Sequence, residues 1–191
     1  YTEASNAGLP VIRPTMMSFM RTLVTMKKPM TILEVGTAIG FSALYMREYA
    51  PAGCRITTIE NYPPRIEKAR TNFARYDTDG RIELMEGDCT GILPGLKSPY
   101  DMIFMDGPKG QYVNMYDDLR RLLEPGGLLV SDNMFHDGDI LESRYAVQRR
   151  DRTIHMRMRE YLYRLTHDEG FVTSILPVGD GITLSVRTES E

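Results

Sequence analysis

The segment TILEVGTAIGFS, residues 31–42, decides the fold. Its first five residues are mostly apolar or β-branched, the next five form a loop with two glycines, and helical spacing of apolar residues begins after them. Open α/β sheets bind nucleotide ligands where a strand passes through such a loop into a helix. We therefore expect a strand at Thr31–Val35, a ligand-binding loop at 36–40 and a helix at 41–50.

Four further apolar runs bounded by turn residues follow this strand. Helical spacing between them, notably at 63–76 and 112–123, gives the alternation that is typical of βαβ units. Pro125-Gly126-Gly127 is expected to end the second of these helices, and an earlier helix at Arg13–Met26 is expected to pack on the sheet. Short and almost entirely apolar strands suit a parallel sheet with helices on both faces. The four predicted strands are Arg55–Ile59, Ile82–Met85, Met102–Met105 and Leu128–Ser131.

The carboxyl-terminal part of the chain has a different pattern. An arginine-rich stretch, 144–168, predicts one long helix. The runs Phe171–Leu176 and Ile182–Val186 predict an antiparallel strand pair around the turn at 177–181. The elements together predict an α/β fold in one domain, 1–191: a Rossmann-like seven-stranded sheet that is mostly parallel, has an antiparallel last strand pair and carries helices on both faces.

Length and composition restrict the class of protein. The 191 residues are 42% hydrophobic, enough to bury the core of one domain, and no apolar run approaches the ~20 residues that a membrane span needs. The chain also lacks a basic-then-apolar signal pattern at its start, so we expect a cytoplasmic protein that does not contact a membrane. Because the chain begins with Tyr1, we expect the N-terminal segment to be incomplete. Two cysteines, Cys54 and Cys89, are too few for a disulfide framework and are expected to be buried thiols.

The loop after the first strand differs from a dinucleotide-binding loop. That loop has the spacing Gly-x-Gly-x-x-Gly, whereas here Glu34 replaces the first glycine ahead of Gly36 and Gly40. An acid would repel a pyrophosphate and suits a ligand with a cationic end, such as S-adenosylmethionine with its ammonium and sulfonium groups. Glu60, which ends the second strand, is expected to accept hydrogen bonds from both ribose hydroxyls, and Asp88 to meet the adenine amino group.

Polar side chains also end the fourth and fifth predicted strands. Asp106 follows one of these strands, and Asp132 and Asn133 follow the other. The carboxyl ends of parallel strands open onto one crevice, so these side chains can converge. Three hard oxygen donors predict a site for a divalent metal of the Mg²⁺ type rather than for zinc. Lys109 is a candidate general base on the same loop, and the alternative is that it only forms an ion pair with Asp106.

Three stretches carry a resemblance to a known family: ILEVGTAIGFS at 32–42, YDMIFMD at 100–106 together with Lys109, and SDN at 131–133. In these stretches the chain resembles the metal-dependent O-methyltransferases that include the catechol and caffeoyl-CoA enzymes. The resemblance extends over essentially the whole chain. It implies a seven-stranded methyltransferase sheet, S-adenosylmethionine as cofactor and, commonly, a homodimer.

The resemblance also implies roles for single residues. It implies that Asp106, Asp132 and Asn133 bind the metal and that Lys109 is the base, with Asp106 as a second catalytic residue. The implied cofactor contacts are Glu34, Gly36, Thr37, Gly40, Ser42, Glu60, Asp88 and Asp106.

Three weaker signals point to one branch of that family: DGPKGQY at 106–112, arginines around 149–152 and LPVGDG at 176–181. In these the chain is most similar to the bacterial enzymes that methylate 5-hydroxyuridine at the wobble position of tRNA to 5-methoxyuridine. That branch often has Asp-Ala-Ala-Lys where residues 106–109 read Asp-Gly-Pro-Lys. The net charge is −3, but seven arginines lie within 144–164, and phosphate contacts fix the register of a nucleic acid. The expected RNA contacts are Arg149, Arg150 and Arg152.

Other functions fit the same residues. A small catechol or a phenolic acyl substrate offers two neighbouring oxygens, as do the 5-oxygen and 4-carbonyl of 5-hydroxyuridine. A nucleotide-binding module without catalysis would use the carboxylates only structurally. A dehydrogenase is disfavoured by Glu34 at the first glycine position. We therefore predict an O-methyltransferase that acts on tRNA, with the small-molecule enzyme and the non-catalytic module as the alternatives.

Overall fold

The computed structural model of the chain describes residues 12–135 and 147–188, which contain seven strands and six α-helices. The strands are β1 (Thr31–Val35), β2 (Arg55–Glu60), β3 (Ile82–Glu86), β4 (Tyr100–Met105), β5 (Leu123–Ser131), β6 (Phe171–Leu176) and β7 (Ile182–Arg187). The helices are α1 (Pro14–Lys27), α2 (Phe41–Tyr49), α3 (Pro63–Tyr76), α4 (Cys89–Ile92), α5 (Tyr112–Leu122) and α6 (Arg152–His167). Short 3₁₀ turns occupy Leu93–Gly95 and Lys109–Gln111.

The strands form one sheet in the order β3-β2-β1-β4-β5-β7-β6. Neighbouring strands from β3 to β5 are parallel, whereas β7 runs antiparallel to both β5 and β6. The order reverses between β1 and β4, so their carboxyl ends adjoin at the switch point where such sheets bind ligands. The predicted mostly parallel seven-stranded sheet with an antiparallel last pair is confirmed.

Helices cover both faces of the sheet. Successive residues of a strand point to opposite faces. In β1, Ile32 packs into a cluster with α1, α2 and α3, whereas Leu33 packs into a cluster with α5 and α6. Both side chains are fully buried. Burial of the sheet on both sides accounts for strands that are apolar along nearly their whole length.

The fifth strand is longer than the sequence predicts. It begins at Leu123, directly after α5, instead of at Leu128. The segment Pro125-Gly126-Gly127, expected to end the helix, lies inside the strand, close to a shift in its register with β4 between Tyr100 and Met102. The first glycine has a φ of 73°, which favours glycine over other residues. The two glycines therefore allow the irregular strand, and they do not terminate the helix.

The prediction of one helix over 144–168 is wrong in its first part. The helix begins at Arg152, residues 147–151 form turns, and 144–146 lie outside the described residues. Val147 is 2% exposed, and its carbonyl accepts a hydrogen bond from Nε of Arg152 at 3.2 Å. The helix therefore starts after a turn that contains the buried Val147.

The first helix packs against the sheet, as predicted. Its buried residues are Met16, Met20, Leu23 and Val24, which lie at helical spacing on one face. Proline is tolerated in the first turn of a helix, where its missing N–H would have no partner, and Pro14 starts α1. Within residues 12–135 and 147–188, no helix has both the length and the apolar character that crossing a membrane requires.

Candidate active site

Two adjoining cavities open at the carboxyl ends of β1, β4 and β5. The larger cavity has a volume of about 360 Å³ and the smaller cavity about 240 Å³. Residues that line both are Gly36, Ala38, Arg65 and Asp106. The larger cavity is also lined by Thr37, Phe41, Ser42, Asp132, Asn133 and Asp180, among others. The smaller cavity is also lined by Ile59, Glu60, Gly87, Cys89, Gly107 and Pro108, among others.

Gly36 brings the ends of three strands into contact. Its φ is 103°, a conformation that side-chain-bearing residues rarely adopt. A Cβ at this position would lie 2.4 Å from the carbonyl oxygen of Asp106, and the Gly36 N–H donates to the carbonyl of Ile59 at 3.0 Å. Glycine is therefore needed at this position for backbone packing, and the same packing shapes the wall shared by the two cavities.

Glu34 is a fully buried acid behind this loop. Its Oε2 accepts a hydrogen bond from the Thr58 hydroxyl at 2.5 Å, and the Thr37 hydroxyl lies 2.6 Å from that same hydroxyl. The other oxygen, Oε1, has no hydrogen-bond partner among the described residues. Burial raises the pKa of Glu34 to about 7, against the opposing effect of neighbouring hydroxyls. A buried acid with a vacant acceptor position fits a ligand that brings positive charge close to it.

Glu60 lines the smaller cavity, but its carboxylate already has partners. Oε1 accepts the backbone N–H groups of Asn61 at 3.1 Å and Tyr62 at 3.0 Å, and Oε2 accepts that of Ala38 at 2.9 Å. Each carboxylate oxygen offers about two acceptor positions, so one position remains on Oε2. Glu60 can therefore accept one ribose hydroxyl as it stands, while the predicted contact with both hydroxyls needs one backbone bond to be released.

Three of the predicted cofactor residues line neither of the two cavities: Glu34, which is buried behind the loop, and Asp88 and Gly40. Asp88 caps α4, where its Oδ1 accepts hydrogen bonds from the backbone N–H of Thr90 at 2.8 Å and from the Thr90 hydroxyl at 2.5 Å. Gly40 has a φ of 83°, and a Cβ there would lie 2.5 Å from the ring of Phe73. Asp88 and Gly40 both have structural roles that explain their presence. Their contacts with a cofactor stay predictions.

The three predicted metal ligands lie together. Nδ2 of Asn133 donates to Oδ1 of Asp106 at 3.0 Å, and the backbone N–H of Asn133 donates to Oδ1 of Asp132 at 2.6 Å. Asn133 has a φ of 56°, which turns the chain directly after the strand. The backbone N–H groups of both aspartates bond to the neighbouring strand ends, at Val35 and Met105. Backbone hydrogen bonds that continue past the strand ends thus fix the backbone positions of Asp106 and Asp132.

Burial and neighbouring negative charge destabilise the ionised forms of both aspartates. Burial, followed by the nearby charge of Asp132, raises the pKa of Asp106 to about 7. Burial likewise raises the pKa of Asp132, with Asp180 adding to the effect. A cation between Asp106 and Asp132 would relieve this repulsion, and their oxygens suit Mg²⁺. The amide of Asn133 would have to turn to offer its oxygen, because its nitrogen faces Asp106. The described residues contain no group of three or more His, Cys, Asp or Glu side chains placed for a metal.

Lys109 starts the 3₁₀ turn that follows Pro108. Its positive charge lowers the pKa of Asp106 and of Asp132, so it lies near both carboxylates. It forms no ion pair with another residue of the described part of the chain. The simple ion pair with Asp106 is therefore not what the structure contains, and the role of Lys109 as a base stays a prediction.

Sequence reasoning did not identify Arg13 and Asp180 as site residues. Both line the larger cavity, and an NH2 nitrogen of Arg13 lies 2.8 Å from Oδ2 of Asp180. Asp180 comes from the turn between β6 and β7, which places it beside Asp132. The turn pattern Gly179-Asp180-Gly181 predicted a chain reversal, but nothing in the sequence showed that this reversal reaches the site. The antiparallel return of β7 beside β5 brings it there.

The predicted RNA contacts do not lie along one helix. Arg149 and Arg150 are exposed in the turn before α6, and Arg150 pairs with Asp151 at 3.3 Å. Arg152 donates to the carbonyl of Val147. Further along, Arg157 donates to the carbonyl of Gly110 at 2.9 Å, and Arg164 pairs with Asp117 at 2.5 Å and lies over the ring of Tyr116. Several arginines of the stretch thus stabilise the fold.

Comparisons with known proteins match this chain to one family model and to a named relative. A family model described as O-methyltransferase matches residues 7–188. A catechol O-methyltransferase from Niastella koreensis is 33% identical over 144 residues, a match that covers 72% of this chain and 65% of that protein. The chain thus spans slightly less than two thirds of that relative's length.

Solved structures have the same fold. A caffeoyl-CoA O-methyltransferase candidate from Staphylococcus aureus superposes with a TM-score of 0.88 at 26% identity, covering 97% of this chain and 89% of that one. A methyltransferase from Podospora anserina with bound S-adenosylhomocysteine gives a TM-score of 0.83 at 26% identity, covering 94% and 80%. Because the family model covers nearly the whole chain, the protein belongs to the O-methyltransferase family and has the fold of its S-adenosylmethionine-dependent members.

Proposed function

We propose that the protein transfers the methyl group of S-adenosylmethionine to one of two neighbouring oxygens on a small planar acceptor of the catechol type. The observation that carries the proposal is the convergence of Asp106, Asp132 and Asn133 at two adjacent strand ends. These side chains line the same cavity as the loop that begins at Gly36. Cofactor and acceptor would therefore meet in one place, which is the main requirement of a displacement reaction between two bound molecules.

The cofactor end of the site is supported by Glu34 and the loop after β1. A buried carboxyl with one oxygen lacking a partner suits the cationic methionine end of the cofactor. Glu60 and Gly87 in the smaller cavity offer a place for the ribose and adenine. The backbone of Gly36 can approach the ligand closely because it has no side chain. In this arrangement Glu34, Glu60 and the loop after β1 would hold the cofactor, which would supply the methyl group.

The acceptor end of the site is supported by its oxygen donors. The side-chain oxygens of Asp106, Asp132 and Asn133 would hold a divalent metal of the Mg²⁺ type. Such a metal, when bound, lowers the pKa of a coordinated hydroxyl and orients its oxygen. Lys109, on the loop after β4, is the group that takes up the acceptor's proton in this proposal.

The size of the site and the relatives both favour a small acceptor. A cavity of about 360 Å³ is at the lower end of the range for small-molecule sites. The relative from Niastella koreensis is a catechol O-methyltransferase by name. The tRNA wobble uridine remains a second candidate, because Arg149 and Arg150 are exposed and basic. It is the weaker one, because Arg157 and Arg164 already bind groups of this chain.

The test is methyl transfer from labelled S-adenosylmethionine to two acceptors in parallel, catechol and tRNA that contains 5-hydroxyuridine. We expect labelled 2-methoxyphenol in the presence of Mg²⁺ and its loss when a chelator is added. If only the tRNA became labelled, the result would contradict the small acceptor and support the tRNA wobble uridine as the acceptor. Tight cofactor binding without transfer to either acceptor would contradict the proposal and favour a non-catalytic binding module.

A further inference from the structure

We propose that Arg13 selects acceptors that carry a carboxylate in addition to their two neighbouring oxygens. The inference rests on the proposed function and deepens it, because it names the chemical class of the acceptor. The acceptor would be a dihydroxylated aromatic acid, with its carboxylate on the ring or on a short side chain.

Arg13 lies on the acceptor side of the larger cavity. It precedes the first residue of α1 and lines the cavity together with Asp132 and Asn133. An NH2 nitrogen of its guanidinium is 2.8 Å from Oδ2 of Asp180. The guanidinium is therefore close to where the acceptor's oxygens would bind.

The charges that line this cavity make the position of Arg13 important. The described residues that line it include three carboxylates, those of Asp106, Asp132 and Asp180. The other arginine at the cavity, Arg65, has its guanidinium 5.7 Å from the centre of the Tyr62 ring and also lines the smaller cavity, on the ribose side. Among the described residues that line this cavity, Arg13 is thus the positive side chain that lies away from the ribose side and can pair with an anionic group on the acceptor.

The Arg13 side chain can bind a second anion while it keeps its pair with Asp180. It is 63% exposed, and Asp180 is 23% exposed. A guanidinium has five N–H donors in a planar fork and can bind carboxylates on more than one edge. The backbone carbonyl of Asp180 accepts the N–H of Phe135 at 2.8 Å, which anchors the turn that carries Asp180. Asp180 can therefore hold Arg13 at the cavity with donors left for the acceptor.

A neutral catechol has no carboxylate that could bind Arg13, so a comparison of charged and neutral acceptors tests the inference directly. We would compare kcat/KM for 3,4-dihydroxybenzoate and for its methyl ester, which has the same ring and oxygens without the charge. For Arg13→Gln we expect kcat/KM for the acid to fall about tenfold, the usual size of one lost charge-assisted hydrogen bond, with the ester unchanged within about twofold. Arg13→Lys should recover part of the loss, because it restores the charge but not the fork.

Arg21→Gln is the matched control. It removes the same charge from α1, the helix that Arg13 precedes, but Arg21 lies over the ring of Tyr49, about two helical turns from Arg13. We expect this variant to treat acid and ester as the wild type does. An equal loss for acid and ester in Arg13→Gln, or no loss for either, would overturn the inference.

A binding measurement separates this inference from the proposed function. The protein saturated with S-adenosylhomocysteine is titrated calorimetrically with 3,4-dihydroxybenzoate, in wild-type and Arg13→Gln forms. Weaker binding by the variant supports the role of Arg13, and it does so even if no methyl group is transferred. The absence of methyl transfer would contradict only the proposed function. Equal affinity in the two forms contradicts the role of Arg13 whether or not methyl transfer occurs.

Discussion

At the residue scale, Glu34 is a buried acid whose raised pKa bears on the proposed binding of the cofactor. Its carboxyl is fully buried, and burial raises its pKa from 4.5 to about 7. The folded protein therefore binds a proton here more tightly than the unfolded chain does. This group contributes stability below pH 4.5 that is lost as the pH rises through about 7. A cationic ligand favours the ionised form, so its binding should release that proton.

We predict proton release when S-adenosylmethionine binds near pH 6.5, where Glu34 in the unliganded protein is mostly protonated. Calorimetry in two buffers of different ionisation enthalpy measures it, since the released proton makes the observed binding enthalpy depend on the buffer. Glu34→Gln should reduce this buffer dependence and weaken binding about tenfold, as expected for one charged hydrogen bond. Glu48→Gln, an exposed change on α2, is the control. The same buffer dependence in wild type and Glu34→Gln would contradict the assignment.

Single residues also mark where sequence reasoning was sufficient and where it was not. The convergence of Asp106, Asp132 and Asn133 could be predicted because parallel strands place their carboxyl ends at one edge, a rule that depends only on strand order. Asp180 could not, because the contact depends on how an antiparallel strand returns, and a turn pattern gives no information on that. The existing partners of Glu60 were equally hidden, since backbone N–H groups carry no sequence signal.

At the element scale, apolar spacing predicted nearly every helix and strand, and the errors lie where local contacts override spacing. The segment 147–151 forms turns ahead of α6, where Val147 is buried and its carbonyl accepts a hydrogen bond from Arg152. The segment Pro125–Gly127 lies in β5 because the irregular pairing with β4 accommodates it. Neither contact is visible in the spacing of apolar residues.

The packing of α1 gives a prediction at this scale. Met20 is completely buried between α1 and the sheet, whereas Met26 on the same helix is 74% exposed. Met20→Ala should lower the free energy of unfolding by about 2–5 kcal/mol, because it leaves a cavity in the core. Met26→Ala should change it by less than about 0.5 kcal/mol. Denaturant unfolding measures both, and similar values for the two variants would show that α1 does not pack as described.

At the scale of the whole molecule, one topological feature brings the parts of the site together. The sheet order reverses between β1 and β4, so the cofactor loop after β1 adjoins Asp106 after β4. The return of β7 beside β5 then adds Asp180 next to Asp132. The residues that we propose to bind the cofactor, the metal and the acceptor thus lie at one edge of this sheet. The homodimer implied by the family resemblance stays a prediction.

The measurement that tests the central claim most directly is the rate of methyl transfer from S-adenosylmethionine to catechol in Mg²⁺ by wild type and by Asp132→Asn. Asp117→Asn, with an 80% exposed side chain on α5, is the control. We predict that Asp132→Asn lowers the rate by about 100-fold or more, as expected from several kcal/mol of lost charge stabilisation, while cofactor affinity changes little. The control should keep the wild-type rate. A wild-type rate in Asp132→Asn, or no methyl transfer by the wild type, would contradict the account.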